Sequence, residues 1–449
     1  MTDYKNNNID TSTPKLQHYV QQLLTDLQLD DAPAGGSIVV YQAGQCIAQA
    51  SVGMAQLDIP WQANTLSLNF STGKGVLATL AHVLVSQRLL AYDATIASYW
   101  PAFAANGKAA ITLRELMSHQ ADLFAINTIN VDNETLVNWD KMVELVAAMP
   151  MTQPDNAATY ASAYSALVYG WILGGLIEIV TKMSLAKALK HYLTTPLGIA
   201  DSCYFGVPTE RVDEVAKLSK DFGADKDSQS QLGKKRHKPT LKADSPATLQ
   251  TYQQLASYSC WQQKAIKQQS DSASDKLNAV QINRLYFNHS SMDVNNYRAA
   301  LVPASKQPID YYNEQVLQAI IPAANGVASA QALATIYAML ANGGVWQGKT
   351  LIDSGTFEQL SALQMTGRDA VMPAQMDWRL GYHRLFSICD NNAEQGFGHM
   401  GYNGSVAWCE PTRQLSCAFV HNFDVTMLND IRQFALTEAL LAVIDKTSE

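Results

Sequence analysis

Residues 66–76 read LSLNFSTGKGV, an extended apolar stretch followed by a glycine-rich turn. Ser71 and Lys74 stand three residues apart in it, so on a helix they lie one turn apart on the same face. The residues from Val76 to Leu84 are apolar at helical spacing, and they predict a buried helix that begins at Ser71. Ser-x-x-Lys alone is common on solvated helices. At the start of a buried helix, however, free N–H groups can stabilise an oxyanion beside an activated hydroxyl.

A serine hydroxyl becomes a nucleophile only when a neighbouring group takes its proton, and a desolvated lysine can do this. Lysine and tyrosine ordinarily titrate near ~10, so the fold must bring such a base to near ~7, at a cost of about 4 kcal/mol. Burial of Lys74 and the mutual influence of a lysine–tyrosine pair are ways to supply that shift, and the sequence does not decide which of the two groups is the base. We therefore expect acyl transfer through Ser71, without metal or cofactor.

Composition excludes several other function classes. The 449 residues carry 32 Lys and Arg against 40 Asp and Glu, a formal net charge of −8, and no basic stripe, which argues against nucleic acid as the partner. The most apolar window, residues 166–177, is shorter than the ~20 residues that a membrane span needs and predicts a buried helix. The first residues lack the pattern of an export signal, so we expect a cytoplasmic protein.

The cysteines and histidines give no sign of a metal site. No His-Glu-x-x-His helix, Gly-x-Ser-x-Gly elbow or phosphate-binding glycine loop is present, and no two histidines stand at ligand spacing. The six cysteines are scattered, and we expect free thiols in a reducing compartment, although Cys409 and Cys417 could face each other across a hairpin. They are Cys46, Cys203, Cys260, Cys389, Cys409 and Cys417.

The two ends of the chain have strand patterns and the middle has helical patterns. Residues 37–41 and 46–52 predict one hairpin and residues 405–408 and 415–420 a second, followed by a helix over 425–446. Helical periodicity is clearest over residues 112–119, 135–148, 165–180 and 329–340. This order predicts an α+β fold, in which an antiparallel sheet built from both ends of the chain carries flanking helices and an inserted helical lobe.

Seven segments resemble, in their order, the serine β-lactamase-related superfamily, and most closely its class C β-lactamase-like (family VIII) carboxylesterases. The resemblance extends over residues 37–422 and departs at Asp122 and Asp155, where the family pattern has glycine. The segments are FSTGKG (70–75), YWPAF (99–103), ITLRELMSH (111–119), YSALVYGW (164–171), PLG (196–198), PAANG (322–326) and GHMGYNGS (398–405).

The resemblance implies a role for individual residues. Ser71 matches the acylated nucleophile, Lys74 the lysine beside it, and Tyr164 the tyrosine that completes the base network, with Tyr160 as the alternative. His399 and Gly401 match the strand motif that reads Lys-Thr-Gly in β-lactamases. The oxyanion hole and substrate-binding set is then Ser71, His399, Gly401 and Tyr402, with the N–H groups of Ser71 and Tyr402 as the donors.

The resemblance also implies a domain organisation. Residues 1–30 are a polar lead and first helix, and residues 31–449 form a single β-lactamase-like catalytic domain. Its α/β part covers about 31–70 and 345–449, and its helical lobe about 71–218 and 300–344. Residues of about 219–299 form a polar insertion or lid, and its composition predicts disorder in part of it.

Three function classes follow. The first is a carboxylesterase acting on small acyl esters, favoured because His399 and Met400 replace the cation and hydroxyl that bind a substrate carboxylate. The second is a β-lactamase or a peptidase acting on D-amino-acid peptides. The third is a scaffold that keeps the fold without catalysis. The partner is a small ester or amide in the first two classes, and the sequence does not indicate an oligomeric state.

Overall fold

A six-stranded antiparallel sheet joins the two ends of the chain. The computed structural model describes residues 13–28, 33–222, 245–268, 276–305, 307–390 and 392–445. The strand order is β10-β11-β12-β13-β1-β2, so the last strand pairs with the first. The strands are β1 (Gly36–Gln42), β2 (Gln45–Val52), β10 (His383–Arg384), β11 (Phe397–Met400), β12 (Val406–Glu410) and β13 (Leu415–His421).

Shorter strands lie outside this sheet. β5 (Ser67–Phe70), β7 (Gly326–Ala328) and β6 (Cys203–Tyr204) form a three-stranded sheet that leads into the Ser71 turn. The others pair two by two: β3 (Met54–Gln56) with β4 (Ile59–Pro60), and β8 (Val345–Trp346) with β9 (Lys349–Thr350).

Helices flank the sheet and build the middle of the chain. In chain order they are α1 (Thr13–Asp26), α2 (Thr72–Ser86), α3 (Ile96–Tyr99), α4 (Leu113–Met117), α5 (Asn133–Leu136), α6 (Trp139–Ala148), α7 (Val168–Thr181) and α8 (Leu185–Leu189). They continue with α9 (Pro246–Gln254), α10 (Tyr258–Gln268), α11 (Ala279–Tyr286), α12 (Val294–Leu301), α13 (Glu314–Gln318), α14 (Ala330–Ala341), α15 (Ser354–Ser361) and α16 (Arg432–Asp445).

The two faces of the sheet bury different hydrophobic clusters, because successive side chains of a strand point to opposite faces. On β13, Ala418 and Val420 join the cluster shared with α2, α7 and α14. Cys417 and Phe419 join the cluster shared with α1 and α16. Each fully buried Leu, Val or Phe contributes about 1.5–3 kcal/mol. The predicted α+β architecture is confirmed, whereas the domain boundaries stay a prediction.

The C-terminal helix begins later than the sequence pattern predicts. The apolar spacing predicts a helix from residue 425, but α16 begins at Arg432. Residues 425–431 instead form a loop in which the Met427 N–H donates to the Tyr402 carbonyl oxygen at 2.7 Å. A buried ion pair between Arg432 and Asp430, 2.7 Å apart, closes this loop at the start of the helix.

The predicted first helix and part of the polar insertion fall on described residues. α1 lies against β2, and α9 to α12 belong to the insertion. Residues 1–12 and 29–30 of the predicted lead and first helix, and residues 223–244 and 269–275 of the predicted insertion, lie outside the described residues, and so does any test of the predicted disorder there. Residues 168–177 of the apolar window lie in α7 and are buried, as predicted. Within the described ranges, no helix combines the length and apolar character of a bilayer span.

The expectation of six free thiols is wrong for one pair of cysteines. Cys260 on α10 and Cys389 after β10 form a disulfide, with their Cα atoms 5.8 Å apart and a sequence separation of 129. Cys409 and Cys417 are free and buried. They do not face each other, since Cys409 pairs with Ser416 and its side chain lies on the opposite face of the sheet.

Candidate active site

The turn between β5 and α2 presents Ser71 at the start of a buried helix. Ser71 is the N-cap residue of α2, and Phe70 before it has a positive φ of 49°. A left-handed backbone is costly for a bulky side chain, about 1–3 kcal/mol, and such strain is found where the fold must aim a particular group. The ring of Phe70 packs against Tyr311 and Tyr402, with centroids 5.7 and 5.9 Å away.

Lys74 reaches back one helical turn to the Ser71 hydroxyl. Its Nζ donates to Ser71 Oγ and to the Ala323 carbonyl oxygen, both at 2.8 Å. The side chain is only 1% exposed, and within the described chain no carboxylate forms an ion pair with it. Burial therefore lowers the pKa of Lys74 well below its usual value, because the uncompensated ammonium is disfavoured. The free amine is the form that can accept a proton.

Tyr164 lines the same cavity as Ser71. Its phenol interacts with the Ser71 side chain, and Lys74 Nζ stands 5.0 Å from the centre of its ring. Burial raises the pKa of the Tyr164 phenol, so it stays protonated. Tyr160, the alternative considered from the sequence, packs against the Arg368 guanidinium at 5.4 Å and does not line the cavity described below. The structure thus brings Tyr164 and not Tyr160 to Ser71.

The end of β11 lies beside the Ser71 turn. A Cβ at Gly401 would come within 2.3 Å of the Asn69 carbonyl oxygen, so only glycine allows this approach. The Thr72 hydroxyl donates to the Ser405 carbonyl oxygen at 3.0 Å and fixes α2 to the segment after β11. In the described chain, neither the Ser71 nor the Tyr402 N–H donates a hydrogen bond. Two free N–H donors on touching segments are what an oxyanion hole needs.

His399 is a neutral residue at this site. It is buried, and burial lowers its pKa well below the usual value, with the neighbouring His383 acting in the same direction. Its Nδ1 contacts the Met400 carbonyl oxygen at 3.0 Å, which identifies Nδ1 as the protonated nitrogen. Within the described chain, Nε2 has no hydrogen-bond partner. His399 therefore supplies an acceptor and not a cation.

A cavity of about 440 Å³ opens at Ser71. Its walls are mainly aromatic and aliphatic, and none of the described residues that line it is Asp, Glu, Lys or Arg. Most of this wall was not predicted from the sequence. It is formed by residues of α12, by the segment after α12 and by three methionines. These residues are Tyr297, Leu301, Val302, Pro303, Pro308, Ile309, Tyr311, Tyr312, Met372, Met376 and Met427.

Two positions where the sequence departs from the family pattern take different backbone conformations. Asp122 has a positive φ of 53°, the conformation for which glycine is favoured and which aspartate tolerates. After Asp155 it is Asn156 that has a positive φ, at 57°. His119 accepts a hydrogen bond from the Ser165 N–H at 3.2 Å and packs edge-on against Tyr164, so it is a packed residue of the site. Within the described ranges, no three His, Cys, Asp or Glu side chains are grouped as metal ligands.

Comparison with known proteins gives similarity over nearly the whole chain. A family model described as Beta-lactamase matches residues 17–441. Esterase/beta-lactamase LipL of Mycobacterium tuberculosis (strain ATCC 25618 / H37Rv) is 29% identical over 394 residues, which cover 86% of this chain and 77% of that protein. A penicillin-binding protein homologue from Caulobacter crescentus has a TM-score of 0.70 and 26% identity, covering 95% of this chain and 97% of the other. A family VIII carboxylesterase has a TM-score of 0.66 and 24% identity, with coverage of 95% and 97%.

Proposed function

Because this chain belongs to the Beta-lactamase family and is a serine hydrolase, we propose that it is a carboxylesterase that cleaves small, uncharged acyl esters through an acyl-enzyme on Ser71. The family membership confirms the resemblance seen in the ordered motifs. The observation that carries the choice of substrate is the lack of Asp, Glu, Lys and Arg among the described residues that line the cavity at Ser71.

In the proposed acylation step, Lys74 takes the Ser71 proton as Oγ attacks the ester carbonyl. The opposite pKa directions of Lys74 and Tyr164 support this assignment, since an amine is available as base and a phenol as acid. The N–H groups of Ser71 and Tyr402 hold the oxyanion. Tyr164 then donates its proton to the departing alkoxide, and the proton on Lys74 replaces it.

Deacylation repeats these steps with water. The amine of Lys74, directly or through Tyr164, takes a proton from water as the water oxygen attacks the acyl carbonyl. Collapse of the tetrahedral intermediate breaks the bond to Ser71, whose oxygen recovers a proton, and the carboxylic acid leaves. Each oxyanion donor would contribute roughly 3 kcal/mol to the two tetrahedral steps. The scheme needs neither metal nor cofactor.

The absence of charge in the described lining argues against substrates that carry a carboxylate beside the scissile bond. β-Lactams and D-amino-acid peptides with a free carboxyl terminus are substrates of this kind. His399 and Met400 offer no cation to such a group, and burying an unpaired carboxylate costs several kcal/mol. The name of the Mycobacterium relative joins esterase and β-lactamase. A β-lactamase activity is therefore the second candidate, and a chromogenic cephalosporin tests it directly.

The test compares two esters that differ in charge at the end of the acyl chain. We expect p-nitrophenyl butyrate to exceed mono-p-nitrophenyl succinate in kcat/KM by at least about 100-fold, because none of the described lining residues is a cation that would compensate the buried carboxylate. Equal rates would contradict the proposed substrate class. Intact-mass spectrometry with a serine-directed phosphonate and peptide mapping accompanies the assay. An adduct elsewhere than Ser71 would overturn the assignment of the nucleophile, and a folded protein with neither adduct nor turnover would support the scaffold alternative.

A further inference from the structure

A buried carboxylate holds the segment that carries Tyr164. Asp369 is 4% exposed, and its Oδ1 accepts from the Tyr164 N–H at 3.3 Å. Its Oδ2 accepts from the Ser162 hydroxyl at 2.7 Å and from the Trp378 Nε1–H at 3.2 Å. The Trp378 N–H also donates to Ser162 Oγ at 3.1 Å, which closes the network. One carboxylate thus holds the backbone of Tyr164, the residue two positions before it and an indole.

The same indole orients the phenol ring. Trp378 stacks on Tyr164 with ring centroids 5.5 Å apart and planes 11° from parallel. Tyr164 lies in a loop before α7, so no helix or strand hydrogen bonds fix its backbone. Its position therefore depends on contacts from elsewhere in the fold. Asp369 makes one of these contacts directly, by accepting from the Tyr164 N–H, and supports a second, by binding the Trp378 indole that stacks on Tyr164.

Asp369 also accepts from the Val371 and Met372 N–H groups, both at 2.9 Å, so part of its role is to stabilise its own turn. Within the described chain, no lysine, arginine or histidine forms an ion pair with it. Five neutral donors satisfy the carboxylate. A carboxylate that served only its own turn would not need the two donors from the Tyr164 segment or the indole.

We propose that Asp369 is a positioning residue for Tyr164: it holds the phenol beside Ser71 and Lys74, where the proposed proton transfer takes place. The inference rests on the proposed function of Ser71 and Tyr164. It predicts that the effect of Asp369 on turnover passes through Tyr164 and disappears when the phenol hydroxyl is removed.

The test is a double-mutant cycle between Asp369→Asn and Tyr164→Phe. Asparagine keeps the size of aspartate but replaces one carboxylate oxygen with an NH₂ group, which cannot accept a hydrogen bond. Oδ1 faces three backbone N–H groups and Oδ2 faces the indole N–H. In either orientation of the amide, the NH₂ group therefore meets an N–H donor. We expect Asp369→Asn alone to lower kcat at least about 10-fold with KM within about 3-fold. In the Tyr164→Phe background it should change kcat less than about 2-fold.

Glu438→Gln is the matched control. Glu438 is also buried and accepts from Tyr286 Oη at 2.7 Å, Ser387 Oγ at 2.8 Å and two backbone N–H groups, none of them near Tyr164. Any effect of this variant should be the same factor in both backgrounds. If Asp369→Asn also loses the same factor in both, its role is structural only and the inference is overturned.

A milder variant covers the case in which Asp369→Asn does not fold. Ser162→Ala removes one donor and keeps the carboxylate, and its smaller effect on kcat should likewise vanish in the Tyr164→Phe background. The rate of phosphonate labelling at Ser71 provides a second readout that needs no ester turnover. If the phosphonate labels Ser71 but the two substitutions lower kcat by independent factors, only this inference is overturned. If the phosphonate does not label Ser71, the proposed function is overturned as well.

Discussion

Gly401→Ala should impair catalysis through the oxyanion hole while leaving the fold in place. An added Cβ would lie 2.3 Å from the Asn69 carbonyl oxygen, whereas ordinary van der Waals contact begins near 3.4 Å. One of the two segments must therefore move by about 1 Å. These segments carry the two proposed donors, the N–H of Ser71 after Asn69 and the N–H of Tyr402 after Gly401. Whichever of the two segments moves, the distance between the two N–H donors changes.

The expected loss can be worked out from this displacement. A shift of about 1 Å at a catalytic group costs about 100-fold in rate, and complete loss of one oxyanion donor costs about 100- to 1000-fold. We therefore expect kcat/KM for p-nitrophenyl butyrate to fall about 100-fold, which corresponds to about 2.7 kcal/mol. Overpacking should lower the free energy of unfolding by about 1–3 kcal/mol, which leaves the protein folded.

The assay is steady-state hydrolysis, with thermal unfolding followed by circular dichroism on the same samples. Gly35→Ala is the matched control. Gly35 directly precedes β1, and an added Cβ would lie 2.5 Å from the Val52 carbonyl oxygen. It should lose similar stability and keep most of its activity. A folded Gly401→Ala that retained activity within about fivefold of the wild type would refute the assignment of this edge as the oxyanion hole.

Four further outcomes follow from the site and the disulfide. Ser71→Ala should abolish ester hydrolysis with an unchanged melting temperature, and residual turnover would remove Ser71 from the mechanism. Lys74→Ala and Tyr164→Phe should each lower kcat at least about 100-fold, while Tyr160→Phe serves as the control and should change it less than about twofold. Since burial lowers the pKa of Lys74 and only its neutral amine is a base, kcat/KM should fall as the pH drops through that lowered pKa; a pH–rate profile that rises only near pH ~10 would contradict this. Cys389→Ser should lower the free energy of unfolding by about 2–4 kcal/mol in a urea titration, because the disulfide closes a loop of 129 residues, and an unchanged midpoint would speak against the bond.

Local patterns predicted those parts of the protein that depend on neighbours in sequence. The hairpin at residues 37–52 follows from alternating side chains, and the helix after Ser71 follows from apolar spacing. The contact between Ser71 and Lys74 follows from one helical turn. These features need only the chain direction and the period of the backbone, so the sequence alone indicated them.

Contacts between distant segments could not be predicted, because the period of the backbone carries no information about residues far away in sequence. The disulfide joins cysteines 129 residues apart. Tyr164 and Asp369 meet across 205 residues, and nothing in the periodicity around either of them marks the other. The aromatic pair Tyr311 and Tyr312 lines the cavity from a segment without strong helix or strand pattern. The late start of α16 is a local prediction that tertiary contacts overruled, since Met427 bonds to the Tyr402 loop instead of continuing a helix.

One physical property links the proposed catalysis to the proposed specificity. Burial disfavours the charged form of any group, so it lowers the pKa of an amine and raises that of a phenol. At Ser71 the two effects leave Lys74 able to accept a proton and Tyr164 able to donate one, and within the described residues neither side chain forms an ion pair. A cation placed in this wall to bind a carboxylate would lower the pKa of Lys74 further and would also favour the phenolate of Tyr164. The apolar, uncharged wall that the described residues form therefore suits a lysine base and a neutral ester together, and the two proposals depend on the same feature of the site.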